Sequence, residues 1–113
     1  MIEDTRIKTI ADHYGIENQM RQLAEECSEL AVEASHSARI GTTVKIIEEM
    51  ADVQIMIEQI IHLAKIDRCD IEDCINYKLD RQMKRMKERK DEEDAGWIFH
   101  PEKKVKQNDW FEM

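Results

Sequence analysis

Apolar residues recur every three to four positions along four stretches of the chain, the spacing at which side chains share one face of an α-helix. The first stretch, about Ile2 to Tyr14, carries Ile7, Ile10 and Ala11 and stops at Gly15. The second, about Glu17 to Ile40, is striped by Met20, Leu23, Cys27, Leu30, Ala31 and Ala34, and Gly41 follows as a C-terminal cap. Thr42 and Thr43 offer an N-cap for a third helix, about Val44 to Lys65, with Ile46, Met50, Val53, Ile57, Ile60 and Ala64 on one side. Asp67 or Asp70 can cap a fourth, about Ile71 to Asp94, whose Ile75, Leu79, Met83 and Met86 share a face before Ala95-Gly96 ends it. Short links between consecutive helices make them antiparallel neighbours. The pattern therefore predicts an all-α, antiparallel four-helix bundle over residues 1–94 and an irregular C-terminal tail over 95–113. The tail holds both tryptophans and both phenylalanines and is expected to dock on the bundle or on a second subunit, with a frayed end as the alternative.

Composition supports this reading. The chain has 113 residues, with 37% charged, 42% apolar, three Gly and one Pro, which suits one helical domain better than a sheet. A net charge of −8 argues against a nucleic-acid-binding surface but leaves room for an anionic small molecule held through a metal. Cys27, Cys69 and Cys74 form no CxxC pair and are odd in number, so they are expected as reduced thiols filling the core. No signal peptide and no apolar run of about eighteen residues is visible, so a cytoplasmic protein without membrane contact is expected.

Charge becomes informative through its placement. With 25 acids in 113 residues, chance alone gives roughly five acid pairs three apart, so a lone ExxE means little. At about 100° per residue, however, Glu49 projects within about 40° of Val53, Met56 and Ile60, where a bundle helix would carry Leu. Asp52 flanks it one turn on. On the second helix Glu26 and Glu29 edge the stripe beside Leu23 and Leu30, and Glu33 extends that edge. Antiparallel packing would set Glu26 and Glu29 opposite Glu49 and Asp52. Four carboxylates at a half-buried seam repel and lose hydration, a cost that a divalent cation removes. Oxygen-only ligands select Mg²⁺ or Mn²⁺ over zinc or copper. On geometry alone this reading and that of a solvated acidic edge both stand.

The motifs at these positions, Glu25-Glu26-Cys27-Ser28-Glu29 and Glu48-Glu49-Met50-Ala51-Asp52, resemble the EExxE and EExxD signature of the MazG-like all-α nucleoside triphosphate pyrophosphohydrolases, relatives of dimeric dUTPase and dCTPase. The lead "YGIENQMRQLAEECSEL", with Gln19, and "NYKLDRQMKR", with Asn76, Lys78 and Arg81, resemble the same family. The likeness covers about residues 5 to 90. It implies that Glu26, Glu29, Glu49 and Asp52 ligate Mg²⁺, with Mn²⁺ an alternative. A nucleoside triphosphate would be hydrolysed to the monophosphate and pyrophosphate, with Glu26, or else Glu25, taking the proton of the attacking water. Lys78, Arg81 and Arg85, which fall within about 60° of one another on a helix, would neutralise phosphate together with Asn76. A salt-bridged exposed face, helped by Asp80 and Glu88, is the plain alternative for them. Gln82 departs from the pattern, where several relatives carry Arg or Asn. His13, Tyr14 and His36 are candidates for contact with a base.

Other classes fit less well. A di-iron bundle needs two Glu-x-x-His motifs, and only Glu33-Ala-Ser-His36 exists. A coiled coil is interrupted at Gly15 and Gly41. A non-catalytic adaptor with an acidic binding face remains as the alternative to the enzyme. The apolar residues Ile47, Ile55 and Ile61, spread around the third helix, lead to the expectation of a homodimer or homotetramer.

Overall fold

The computed structural model describes residues 3–94. Among these there are four helices and no strand: α1 (Thr5–Tyr14), α2 (Ile16–Ile40), α3 (Val44–Ala64) and α4 (Arg68–Asp94). The all-α bundle architecture expected from the periodicity is therefore present. The tail, residues 95–113, lies outside the described residues. None of the described helices is long and apolar enough to cross a membrane.

Local chemistry sets the ends of these helices. Asp4 caps α1, its carboxylate accepting from the Arg6 backbone N–H at 2.9 Å. The Arg6 side-chain hydrogen bonds, reinforced by that backbone bond, hold the Asp4 carboxyl down to about 2. Gly15 alone separates α1 from α2, at φ 84° and ψ 168°. Its N–H bonds the Ala11 carbonyl at 2.9 Å, and its carbonyl accepts from Gln19 N at 3.1 Å, so one residue closes one helix and opens the next. A side chain at that positive φ would be strained. Gly41 ends α2 in the left-handed region, its N–H on the Ser37 carbonyl at 2.9 Å. Thr42 rather than Thr43 supplies the side-chain contact at the start of α3, accepting from Val44 N at 3.4 Å. α4 begins at Arg68, immediately after Asp67 and three residues before the expected start.

The chain divides into two compact bodies, one ending at Arg68 and one beginning at Cys69. In the first, α2 packs chiefly on α3, and α1 packs on α3 and more lightly on α2. α2 and α3 run antiparallel: Gln19 bonds Gln59, while Glu26, further along α2, meets Glu49 and Asp52, further back on α3. Ile7 and Ala11 of α1 and Met56 and Ile60 of α3 form the buried apolar core. His62 contacts Asp12 at 2.7 Å, and Arg68 is ion-paired with Glu58, which ties the end of this body back to α3.

The packing seam differs from the expected stripes in one instructive respect. On α2 the buried and half-buried line runs Gln19, Leu23, Glu26, Leu30, Glu33 and Ser37, at alternating steps of four and three. Met20, Cys27 and Ala31, expected inside, are exposed. On α3 the line is Ile46, Glu49, Val53, Met56, Ile60 and Leu63, so Met50, Ile57 and Ala64 of the expected stripe give way to Glu49, Met56 and Leu63. All three cysteines are exposed rather than core-filling. Ile75, Leu79, Met83 and Met86 of α4 are exposed as well.

Candidate acidic functional site

Because the α2–α3 seam includes Glu26 and Glu49, the antiparallel pairing carries two carboxylates into the interface. One oxygen each from Glu26, Glu49 and Asp52 lies within 4.8 Å of the other two. Glu26 and Glu49 are half-buried, and Asp52, one turn on from Glu49, is exposed. Glu26 Oε1 accepts from Gln22 Nε2 at 2.8 Å. Glu26 Oε2 and Glu49 Oε2 are both buried and have no hydrogen-bond partner among the described residues. Buried carboxylate oxygens without donors are costly, since neither water nor protein replaces the lost hydration.

Glu29 stands one helical turn beyond Glu26 and feels the same crowding. Its pKa is raised above the ordinary 4.5, first by the negative charge of Glu26, then by a hydrogen bond with Glu26 and by burial, with smaller pushes from Glu49 and Asp52. The four acids singled out in the sequence thus act on one another across two helices. A divalent cation suits this arrangement on chemical grounds. It would supply the partner that the two Oε2 atoms lack, and the donors are all hard oxygens.

The remaining candidates lie elsewhere. Glu25 is exposed and lines an open groove of about 620 Å³ with Tyr14, Asn18, Gln19, Arg21 and Gln22. Tyr14 is half exposed on that groove, and the ring of His13 meets it edge-on with centroids 4.7 Å apart. His36 is not in the acidic cluster; its Nδ1 lies 3.4 Å from Glu33, whose carboxylate also accepts from Ser37 Oγ at 3.3 Å. On α4, Asn76, Lys78 and Arg85 are exposed. Arg81 is half-buried, with its guanidinium 5.7 Å from the centre of the Tyr77 ring and its Nε buried without a partner among the described residues.

In comparisons with protein-family models, curated proteins and solved structures, nothing matches the chain. The chemistry of the site therefore has to be argued from its own residues. Two of these escaped the reading of motifs. Gln59, only 2% exposed, is bonded to Gln19 in the seam, and Gln22 holds Glu26. The seven-residue spacing of Gln19, Glu26 and Glu33 was a visible signal that polar residues occupy one helix line.

Proposed function

We propose that the protein is a Mg²⁺-dependent nucleoside triphosphate pyrophosphohydrolase, which releases pyrophosphate and a nucleoside monophosphate. The supporting observation is that Glu26 Oε2 and Glu49 Oε2 are buried with no partner among the described residues, on two side chains that cluster with Asp52. A solvated acidic edge would leave those oxygens in water. The resemblance of EExxE and EExxD to the MazG-like enzymes points to the same residues.

In this reading Glu26, Glu29, Glu49 and Asp52 hold the cation. When bound, it would supply positive charge for the triphosphate and acidify a coordinated water. The water oxygen bonds to phosphorus as the bond to the pyrophosphate oxygen breaks, and a carboxylate takes the proton. That role is assigned to Glu26 and, second, to Glu25. Asn76, Lys78, Arg81 and Arg85 are assigned to the phosphates by the resemblance, and Tyr14, which lines the groove with Glu25, is the first base-contact candidate. A cytoplasmic setting, where nucleotides and Mg²⁺ abound, belongs to the same proposal.

The direct test is a panel of canonical and modified NTPs and dNTPs with Mg²⁺, scored for pyrophosphate. Release from at least one nucleotide, abolished by chelation, is expected. No release from any of them would leave the non-catalytic adaptor with an acidic face as the better account.

Assembly into a homodimer or homotetramer is also proposed, because Val32 on α2 and Ile47, Ile55 and Ile57 on α3 remain exposed in the single chain. Light scattering at micromolar concentration should give at least twice the 13.4 kDa chain mass. A monomeric mass would remove this part of the proposal.

A further inference from the structure

Gln22 lies half-buried on α2 one turn before Glu26, and its Nε2 donates to Glu26 Oε1 at 2.8 Å. An ionised carboxylate can only accept, so the amide must turn its NH₂ end toward Glu26. This leaves a division of labour between the two carboxylate oxygens. Oε1 is held from its own helix, while Oε2 is buried and has no partner among the described residues, on a side chain that clusters with Glu49 and Asp52. Without such a donor a glutamate on a helix samples several rotamers, and its ordering would be charged against cation binding. Donors that hold a ligand from behind set its orientation and basicity, and their loss weakens metal affinity by about 10–100-fold.

We propose that Gln22 is a positioning residue of the acidic centre, fixing the Glu26 carboxylate so that Oε2 faces the cation. The proposal rests on reading the Glu26, Glu49 and Asp52 cluster as a divalent-cation site. Its alternative is that the i,i+4 bond merely supports α2, which would show in helix stability and not in cation affinity.

The test is Mn²⁺ titrated into the full chain, followed by calorimetry and by the paramagnetic resonance signal of free Mn²⁺. Gln22→Met keeps the length and apolar stem of the side chain but has no N–H to donate. Gln22→Ala, on the best helix former, covers the case in which the methionine variant folds poorly. Both are expected to raise the Mn²⁺ dissociation constant by about tenfold, with Gln22→Met still folded before the cation is added. Mn²⁺ binding as tight as wild type in a folded variant would overturn the positioning role while leaving the cation site standing. A wild-type chain that takes up no Mn²⁺ would overturn the cation site itself, and the role of Gln22 with it.

Discussion

Glu49→Gln is expected to cost about 10²–10³-fold in kcat/KM for pyrophosphate release, equivalent to about 2.7–4 kcal/mol of transition-state stabilisation. The substitution keeps the shape of the side chain and removes its charge, so the packing of the seam line from Ile46 to Leu63 is preserved. It converts an oxygen that is buried and unpartnered into part of a neutral amide. One carboxylate is then missing from the cluster shared with Glu26 and Asp52. The cation-free protein should therefore melt no lower than wild type, because one of several mutually repelling charges is gone. Loss of activity with retained or raised stability is the signature of a ligand removed. Loss of both would point to a structural role for Glu49. Activity near that of wild type would return these carboxylates to a solvated edge. Asp52→Asn is expected to behave in the same way, with a smaller effect on stability because Asp52 is exposed.

Much of this arrangement was legible in the sequence, for identifiable reasons. Gly15 and Gly41 interrupt the helical period where the chain needs positive φ, so α1, α2 and α3 could be delimited to within a few residues. Glu49 could be placed in the seam because its neighbours at helical spacing, Val53, Met56 and Ile60, are apolar and define the buried side. The seam of α2 was legible only in part, through Leu23, Leu30 and the acidic edge at Glu26. Hydrophobicity selected Met20, Cys27 and Ala31, whereas packing against α3 and α1 selected Gln19, Glu26, Glu33 and Ser37. A method that equates burial with apolarity must shift the stripe when the interior line is polar. The Gln22–Glu26 bond was out of reach for a different reason. Polar i,i+4 pairs occur on every charged helix, and only coordinates show which of them holds a buried carboxylate. Likewise the face of Ile75, Leu79, Met83 and Met86 was correctly placed on one helix side, yet periodicity does not say whether a partner covers it.

The second large effect concerns stability against pH and cation together. Glu29 has a folded-state pKa raised above the ordinary 4.5, so the folded protein holds that proton more tightly than the unfolded chain does. Its contribution to stability is fully present below the ordinary value and is lost as pH rises through the raised folded value. The cation-free protein should therefore melt at a higher temperature near about pH 5 than at neutral pH. The overall charge of −8 pushes the same way, so the contribution of Glu29 is isolated by comparison. Glu29→Gln should flatten the dependence more than Asp80→Asn, which removes the same charge from an exposed position on α4. Mg²⁺ should reverse the trend, because it binds ionised carboxylates and competes with protons. At a hundredfold excess over its dissociation constant it adds about 2.7 kcal/mol to the folded state, a rise in melting temperature on the order of ten degrees for a chain of this size. That rise should be large at neutral pH, shrink as the solution is acidified toward the Glu29 pKa, and disappear in Glu49→Gln. A Mg²⁺ effect that is absent at neutral pH, or equal in Glu49→Gln and wild type, would contradict the cation site whatever the activity assays show. If the flattening is equal in Glu29→Gln and Asp80→Asn, the pH dependence belongs to net charge and not to the crowding of Glu29 by Glu26.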